Sequence, residues 1–355
     1  MHLHNIQIRQ FRNIRRAEFD LGSRVTLMIG ANGQGKTNAL NAIATLAMQR
    51  YPSGLQDHDV VSWELEPWME LLGKWRFSDG RWLTVRYAVD RREKVRRVKE
   101  GPKMPVVGFS PSDLRLLQGG PGYRRDFLDQ VCSTLYPRYG RTLQLYERAV
   151  AQKNRGLKDN WPFPALETFN QILAEHGSVL WELRSMMLKM MIPEVYRVHQ
   201  HLAGGHEVTM QLKPGGIAGE VPTSPGDMMK QMRARFDEER SRFMCLVGPH
   251  RDDLIIHLNG HLATTSASQG QQRTLGLSVK LATFHLYHQQ LNVRPLVLLD
   301  DVLSELDPSR RDHLLEIMAD GDQQTVITDT EARWYSALQP VVYQVDNGEI
   351  RPWRS

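Results

Sequence analysis

Apolar and polar residues alternate at the start of the chain, with Leu3, Ile6 and Ile8 forming the pattern of a half-buried strand. Residues 25–29, Val-Thr-Leu-Met-Ile, are apolar almost without a break, as in a strand covered on both faces. The period then changes, and Leu40, Ile43, Ala44 and Ala47 recur at helical spacing. Strands are predicted at 71–77 and 82–89, joined by the turn Ser78-Asp79-Gly80-Arg81. From about residue 109 helical periodicity takes over, with helices at 123–135, 138–158 and 163–191, the last kinked or ended by Pro193. A Gly/Pro-rich tract at 203–226, with a short strand at 207–212, leads to a helix at 227–243. Strands return at 254–258 and from His261, turned by Asn259-Gly260, and a helix carries Leu275, Val279, Ala282 and Leu286. The fold class read from this is α/β. One head is formed by residues 1–108 and 244–355, and an all-helical lobe at 109–243 is inserted into it.

Chemistry sits at the ends of the predicted strands. Directly after the run 25–29 stand Gly30, Ala31, Asn32, Gly33, Gln34, Gly35, Lys36 and Thr37, a complete G-x-x-x-x-G-K-[ST] loop. Strand, glycine-rich turn and helix in that order let backbone N–H groups curl around a polyphosphate at a positive helix end. Lys36 is expected to reach the β- and γ-phosphates and Thr37 to offer its hydroxyl to Mg²⁺. Residues 295–307 read as a buried strand ending in Asp300 and Asp301. A strand parallel to the loop strand would bring Asp300 beside the Mg²⁺ site and leave Asp301 to orient or deprotonate water. Between these lies Ser266 to Arg273, where Ser268 and Gly270 open a helix able to face an anion. The order of loop, Ser-x-Gly-Gln-Gln-Arg, Asp-Asp strand and Ser304 to Asp307 is that of an ABC-type P-loop ATPase head with mixed β-sheets and helices.

The chain resembles the RecF family of bacterial recombination and repair proteins, which is related to the structural-maintenance-of-chromosomes group. The similarity runs nearly end to end, through Phe11-Arg12-Asn13, the phosphate loop, Phe109 to Leu114, Tyr146-Glu147-Arg148, Val247 to Asp253, Ser268 to Arg273 and Leu299 to Asp307. Transport ATPases of the same superfamily carry Leu-Ser-Gly-Gly-Gln and a Glu after the strand Asp, and this chain has neither. The resemblance implies an ATP-dependent homodimer, assembled head to tail, that binds junctions of single- and double-stranded DNA. It would work with RecR and RecO and help RecA load at gaps. It also implies that Arg12 and Gln271 join the nucleotide site and that Ser268 and Gly270 close the partner's site over the γ-phosphate. Thr328 would occupy the position where transport relatives carry a His, so slow turnover is expected of a hydroxyl that cannot relay a proton as a cation. Gln49 and Gln56 are the two candidates for the coupling glutamine.

Lys plus Arg exceed Asp plus Glu by 45 to 40, a mild basic excess that permits nucleic-acid binding without requiring it. The most basic stretch, Arg91 to Lys99, offers Arg91, Arg92, Arg96 and Arg97 as DNA contacts, against the plainer reading of an edge strand protected by charge. Cys132 and Cys245 lie far apart without metal spacing, as suits a reducing compartment. With no apolar run of membrane-spanning length, a cytoplasmic, nucleoid-associated protein without a membrane partner is expected. A chromosome-structuring ATPase of another kind would need long coiled coils, for which the lobe is too short. A nucleotide-regulated scaffold that binds proteins and not DNA stays open as the alternative.

Overall fold

Strand β1 (His2–Phe11) buries Leu3, Ile6, Ile8 and Phe11. It is followed by β2 (Ile14–Asp20), β3 (Val25–Ile29), α1 (Lys36–Met48), α2 (Asp57–Val60), β4 (Trp68–Arg76), β5 (Trp82–Asp90), β6 (Arg96–Glu100) and β7 (Val106–Phe109). An antiparallel sheet in the order β2-β1-β4-β5-β6 results. The odd spacing from Leu3 to Ile6 is absorbed by a register shift at Leu3/Asn5 where β1 meets β4. The predicted hairpin forms: Gly80 takes φ +84°, and the Phe77 N–H donates to the Arg81 carbonyl at 2.9 Å. Helix α1 lays Leu40, Ile43 and Ala47 into the core shared with Leu71, Trp75 and Tyr87 of this sheet. This computed structural model describes residues 1–52, 55–61, 66–92, 96–302, 311, 314, 322–331 and 338–353.

The chain divides into two compact units, Met1–Asp113 with Tyr287–Ser355, and Leu114–Leu286. The second unit holds α3 (Arg115–Gln118), α4 (Pro121–Leu135), α5 (Pro137–Lys158), α6 (Phe163–Ala203), β8 (Val208–Lys213), α7 (Pro225–Ala234), α8 (Phe236–Arg242), β9 (Asp253–Leu258), β10 (His261–Leu262), α9 (Ala263–Ser266) and most of α10 (Gln269–Leu291). Four expectations need correction. Helix α6 runs through Pro193 to Ala203, because buried Val195, Val198 and His199 hold its last turns against the lost backbone bond. The helix expected at 227–243 is two helices broken at Arg235, whose guanidinium donates to the Gly216 carbonyl and to Glu238. The strand at His261 lasts two residues before α9 begins. Residues 244–286 pack with the helices, whereas the sequence pattern places them with the head. The reason is that β9 pairs with β8 over the whole of its length, from Val208↔Leu258 to Lys213↔Asp253.

The motif Val247 to Asp253 has a structural job in this unit. Arg184 of α6 is 1% exposed and donates to Asp252, Asp129, the Tyr139 hydroxyl and the Pro249 carbonyl. Asp252 also accepts from the Trp181 indole and from the Gly215 N–H at 2.8 Å. The Tyr146 hydroxyl meets His250 Nδ1 at 2.7 Å, and burial drives the imidazole down to about 4, so this histidine is a neutral packing group.

Strands β11 (Leu296–Asp300), β12 (Thr325–Asp329), β13 (Val341–Asp346) and β14 (Glu349–Pro352) complete the first unit. They build a second sheet in the order β14-β13-β3-β12-β11-β7, parallel throughout except for β14. Its pairings align Ile29 with Asp329, Asp300 with Thr328, and Leu299 with Phe109. The carboxyl ends of β3, β12, β11 and β7 therefore share one rim, where ligands of open parallel sheets bind. Among the described residues no helix is long and apolar enough to cross a membrane.

Candidate functional site

Strand β3 ends at Ile29, and the next residue, Gly30, lies too close to the Val345 carbonyl to carry a side chain. Gly33 and Gly35 then take φ +81° and +113°, a left-handed path closed to most L-residues, and α1 starts at Lys36. A Cβ on Gly35 would press on the Asn13 amide at 2.8 Å, so Asn13 and the loop are in contact. Asn13 also donates to the Gln34 carbonyl at 3.2 Å and accepts from Asn38 at 2.7 Å. Arg12 bridges α1 and α2, its guanidinium donating to Asn38 Oδ1 at 2.7 Å and to the Asp59 carbonyl at 3.1 Å. The turn of β13 and β14 secures the other side, since the N–H groups of Asn347 and Gly348 donate to the side chain and backbone of Gln34.

Within this cradle Lys36 is only 4% exposed, and its ammonium donates to the carbonyls of Gly30 at 2.8 Å and Ala31 at 3.1 Å. Thr37 Oγ1 donates to Asp300 Oδ1 at 2.9 Å, so the phosphate-loop hydroxyl and the strand carboxylate meet across 263 positions of sequence. Thr328 Oγ1 donates to the same oxygen at 2.9 Å and accepts the Asp301 N–H at 3.1 Å. Thr328 is buried, and its hydroxyl is committed to the Asp300 carboxylate and the Asp301 backbone. Asp301 takes φ +51°, an uncommon backbone for a residue other than Gly, which turns the chain out of β11 at once. A hydroxyl beside a carboxylate, with a cation one residue away, is a donor set suited to Mg²⁺ and phosphate oxygens.

Burial pushes the Asp300 carboxyl above its usual range, while hydrogen bonds from Thr37 and Thr328 pull the other way and Asp113 pushes it further up. Asp113 belongs to the stretch Phe109 to Leu114, to which the sequence reading gave no role. Its carboxylate accepts the Ser110 N–H at 2.8 Å just beyond β7, the neighbour of β11. Knowing that β7 is parallel to β11 would have revealed it. Of the two candidate glutamines, Gln49 lies at the far end of α1 and donates to the Leu46 carbonyl, while Gln56 starts α2 in a reciprocal pair with Asp59. A helix of 13 residues is about 20 Å long, which removes Gln49 from the loop.

In the second unit Ser268 and Gln271 cap α10 reciprocally, the Ser268 N–H donating to Gln271 Oε1 at 2.9 Å and the Gln271 N–H to Ser268 Oγ at 3.3 Å. Gly270, in the first turn, has nothing within 4 Å of where a Cβ would stand. Ser304 to Asp307 lie outside the described residues. Of the basic stretch, Arg92 is held by Asp90 and Arg97 by Asp57, and Arg96 follows the undescribed residues 93–95.

Residues 5–68 match the family model of an AAA domain. The DNA replication and repair protein RecF of Synechococcus sp. is 34% identical over 380 residues, covering 99% of this chain and 98% of the relative. That of Listeria welshimeri is 32% identical over 372 residues, covering 99% and 100%. Among solved structures, the recombination mediator protein RecF with ATP, of the RecFOR pathway, superposes with a TM-score of 0.89 at 24% identity, covering 99% of this chain and 98% of the other. An Smc head domain of Pyrococcus furiosus reaches 0.51 at 11% identity, covering 99% and 95%. The fold is that of an ABC-type ATPase, with mixed sheets and helices.

Proposed function

Because the chain belongs to the RecF family of DNA replication and repair proteins, we propose that it is an ATP-dependent DNA-binding clamp of recombinational repair. It binds single-strand gaps and single/double-strand junctions, dimerises on ATP and helps RecA load, with RecR and RecO as partners in the cytoplasm and at the nucleoid. The observation that carries this reading is the meeting of Lys36, Thr37, Asp300 and Thr328 at the rim of one parallel sheet. The phosphate loop and Lys36 hold the polyphosphate. Thr37 and Asp300 hold Mg²⁺, which when bound neutralises charge on the phosphate oxygens. Asp301 orients or deprotonates water. Thr328, committed to Asp300 and Asp301, offers no proton relay, and turnover is slow.

Gly270 supports a nucleotide site shared between two copies. Glycine in a helix costs up to about 1 kcal/mol relative to Ala, and among the described residues nothing occupies the space its missing side chain leaves. A phosphate bound by the partner copy gives that glycine a reason.

The decisive test is binding to gapped DNA with ATP, with ADP and without nucleotide. Tight binding confined to ATP is expected, and equal affinity in all three states would favour the protein scaffold. For the chemistry, Asp301→Asn is expected to keep ATP binding and lower turnover by about 10²–10⁴-fold, the usual contribution of a positioned base. Asp300→Asn should instead raise the Mg²⁺ concentration needed for half-maximal activity. Parent-like rates and Mg²⁺ dependence in both variants would show the carboxylate roles to be misassigned.

A further inference from the structure

The two faces of the antiparallel sheet treat charge differently at its β6 edge. Residues directly opposite in an antiparallel pair share a face, so Arg86 and Glu100 lie on one side and Tyr87 and Lys99 on the other. The first side is neutralised. Arg86 donates to Glu70 at 2.8 Å and to Glu100 at 3.4 Å, and Arg9 reaches Glu70 at 3.3 Å.

The other side is where α1 packs, and two of its lysines are not matched in this way. Arg97 is paired with Asp57 at 2.5 Å. The Lys99 ammonium stands 5.6 Å from the ring centre of Tyr87, whose ring meets Tyr51 edge-on at 5.7 Å. Arg50 and Tyr51 follow the end of α1, and the Met104 N–H donates to the Ala47 carbonyl of α1 at 2.8 Å, which brings Lys103 to the same end. Among the described residues neither Lys99 nor Lys103 has a carboxylate partner. Both side chains are exposed, yet desolvation, then Arg97 and Arg50 near Lys99, and Arg50 and Lys99 near Lys103, push both ammonium groups below the usual lysine range.

Two carbonyls at the end of α1 are already satisfied without the lysines. The Leu46 carbonyl is taken by Gln49 and the Ala47 carbonyl by Met104, so the last turn of α1 has other donors. The chain thus gathers like charges at a cost to itself beside two tyrosines, and an external polyanion would offset that cost.

We infer that Lys99 and Lys103, with Arg50, form a site for the phosphates of a DNA backbone at the α1 side of the β6 edge. The inference rests on the DNA-binding function proposed above. It places the contacts on a different set of side chains from Arg91, Arg92 and Arg96.

The test uses the full chain with ATP and gapped DNA over a range of salt. Lys99→Ala/Lys103→Ala is expected to weaken binding to all sequences alike and to flatten the plot of log affinity against log salt by about two units, one per lost phosphate contact. Lys99→Arg/Lys103→Arg should retain the parent slope, and Arg92→Ala should change it less than the double variant. In the unmodified protein, bound DNA should protect both lysines from acetylation, read by mass spectrometry. If the parent binds DNA and the Ala variant matches it in slope and affinity, or if DNA leaves both lysines as reactive as before, the site is wrong and the DNA-binding function stands. A parent that binds no DNA in any nucleotide state overturns both. Loss of ATP binding and of thermal stability in the Ala variant would make the lysines structural and likewise end the proposal.

Discussion

Mixing two inactive variants, Lys36→Ala and Ser268→Arg, is expected to restore ATPase activity that neither has alone. Lys36→Ala removes the ammonium that the Gly30 and Ala31 carbonyls fix over the phosphate loop, while the loop's glycines and α1 stay as they are. Ser268→Arg puts a bulky cation at the start of α10, where the partner's γ-phosphate docks in the shared-site arrangement. Each homodimer then has two defective sites. A mixed dimer has one site with both defects and one with neither, so a 1:1 mixture should reach about a quarter of parent activity if the two sites of a symmetric dimer act independently. Only a site built from two chains can be recovered in this way. Absence of recovery at every mixing ratio, with both proteins folded and Ser268→Arg still binding ATP as a monomer, would remove the shared site. Gly270→Ala gives a gentler reading of the same surface. It should stabilise α10 by up to about 1 kcal/mol and yet weaken ATP-dependent dimerisation in light scattering.

The nucleotide side of this site was legible because its chemistry is local in sequence. A loop of eight residues, Gly30 to Thr37, fixes its own path through Gly33 and Gly35, and the uniform apolar run before it allows one kind of strand. Asp300 was within reach for the same reason: a buried strand that ends in carboxylates has few places to go in an α/β fold, and its hydrogen bond to Thr37 follows from parallel pairing. Asp113 was not, because its place depends on which strand neighbours β11, and periodicity carries no information on neighbours. The same limit explains why residues 244–286 were read with the head. Their strand pattern is genuine, but β9 takes its partner from β8 in the Gly/Pro-rich tract. Of the two outcomes expected at Pro193, a kink or an end, the end does not occur, since a local rule on helix ends yields to tertiary packing when Met191, Val195 and Val198 are all buried. The seven residues Val247 to Asp253 marked the family without saying what they do. The structure gives that stretch the work of organising α4, α5 and α6, and a consequence follows for stability.

Arg184→Met is expected to destabilise the unit of residues 114–286 by about 3–5 kcal/mol, the usual consequence of removing one partner from a buried ion pair. The guanidinium is 1% exposed and spans four acceptors on three separate segments: Asp129 of α4, Tyr139 of α5, and Pro249 and Asp252 of the motif. Met fills much of the volume and satisfies none of them, and it leaves the Asp252 carboxyl, 0% exposed and pushed above its usual range by burial, without its arginine. Arg184→Lys should be only partly better, because an ammonium has three donors and cannot reproduce a planar fork. By contrast Arg138→Met removes a bridge to Glu182 in which both side chains are more than half exposed, and should cost less than about 1 kcal/mol. Hydrogen exchange reads the two units separately, which a melting curve of a two-unit chain does not. At 1.4 kcal/mol per factor of ten, amides of α4, α5 and α6 should lose about a hundredfold or more in protection in Arg184→Met. Amides of β3 and α1 should keep theirs, since among the described residues none of the first unit belongs to this network. Protection in α4 to α6 within threefold of the parent would show that the buried arginine is replaceable. The motif Val247 to Asp253 would then need a role other than holding these helices together.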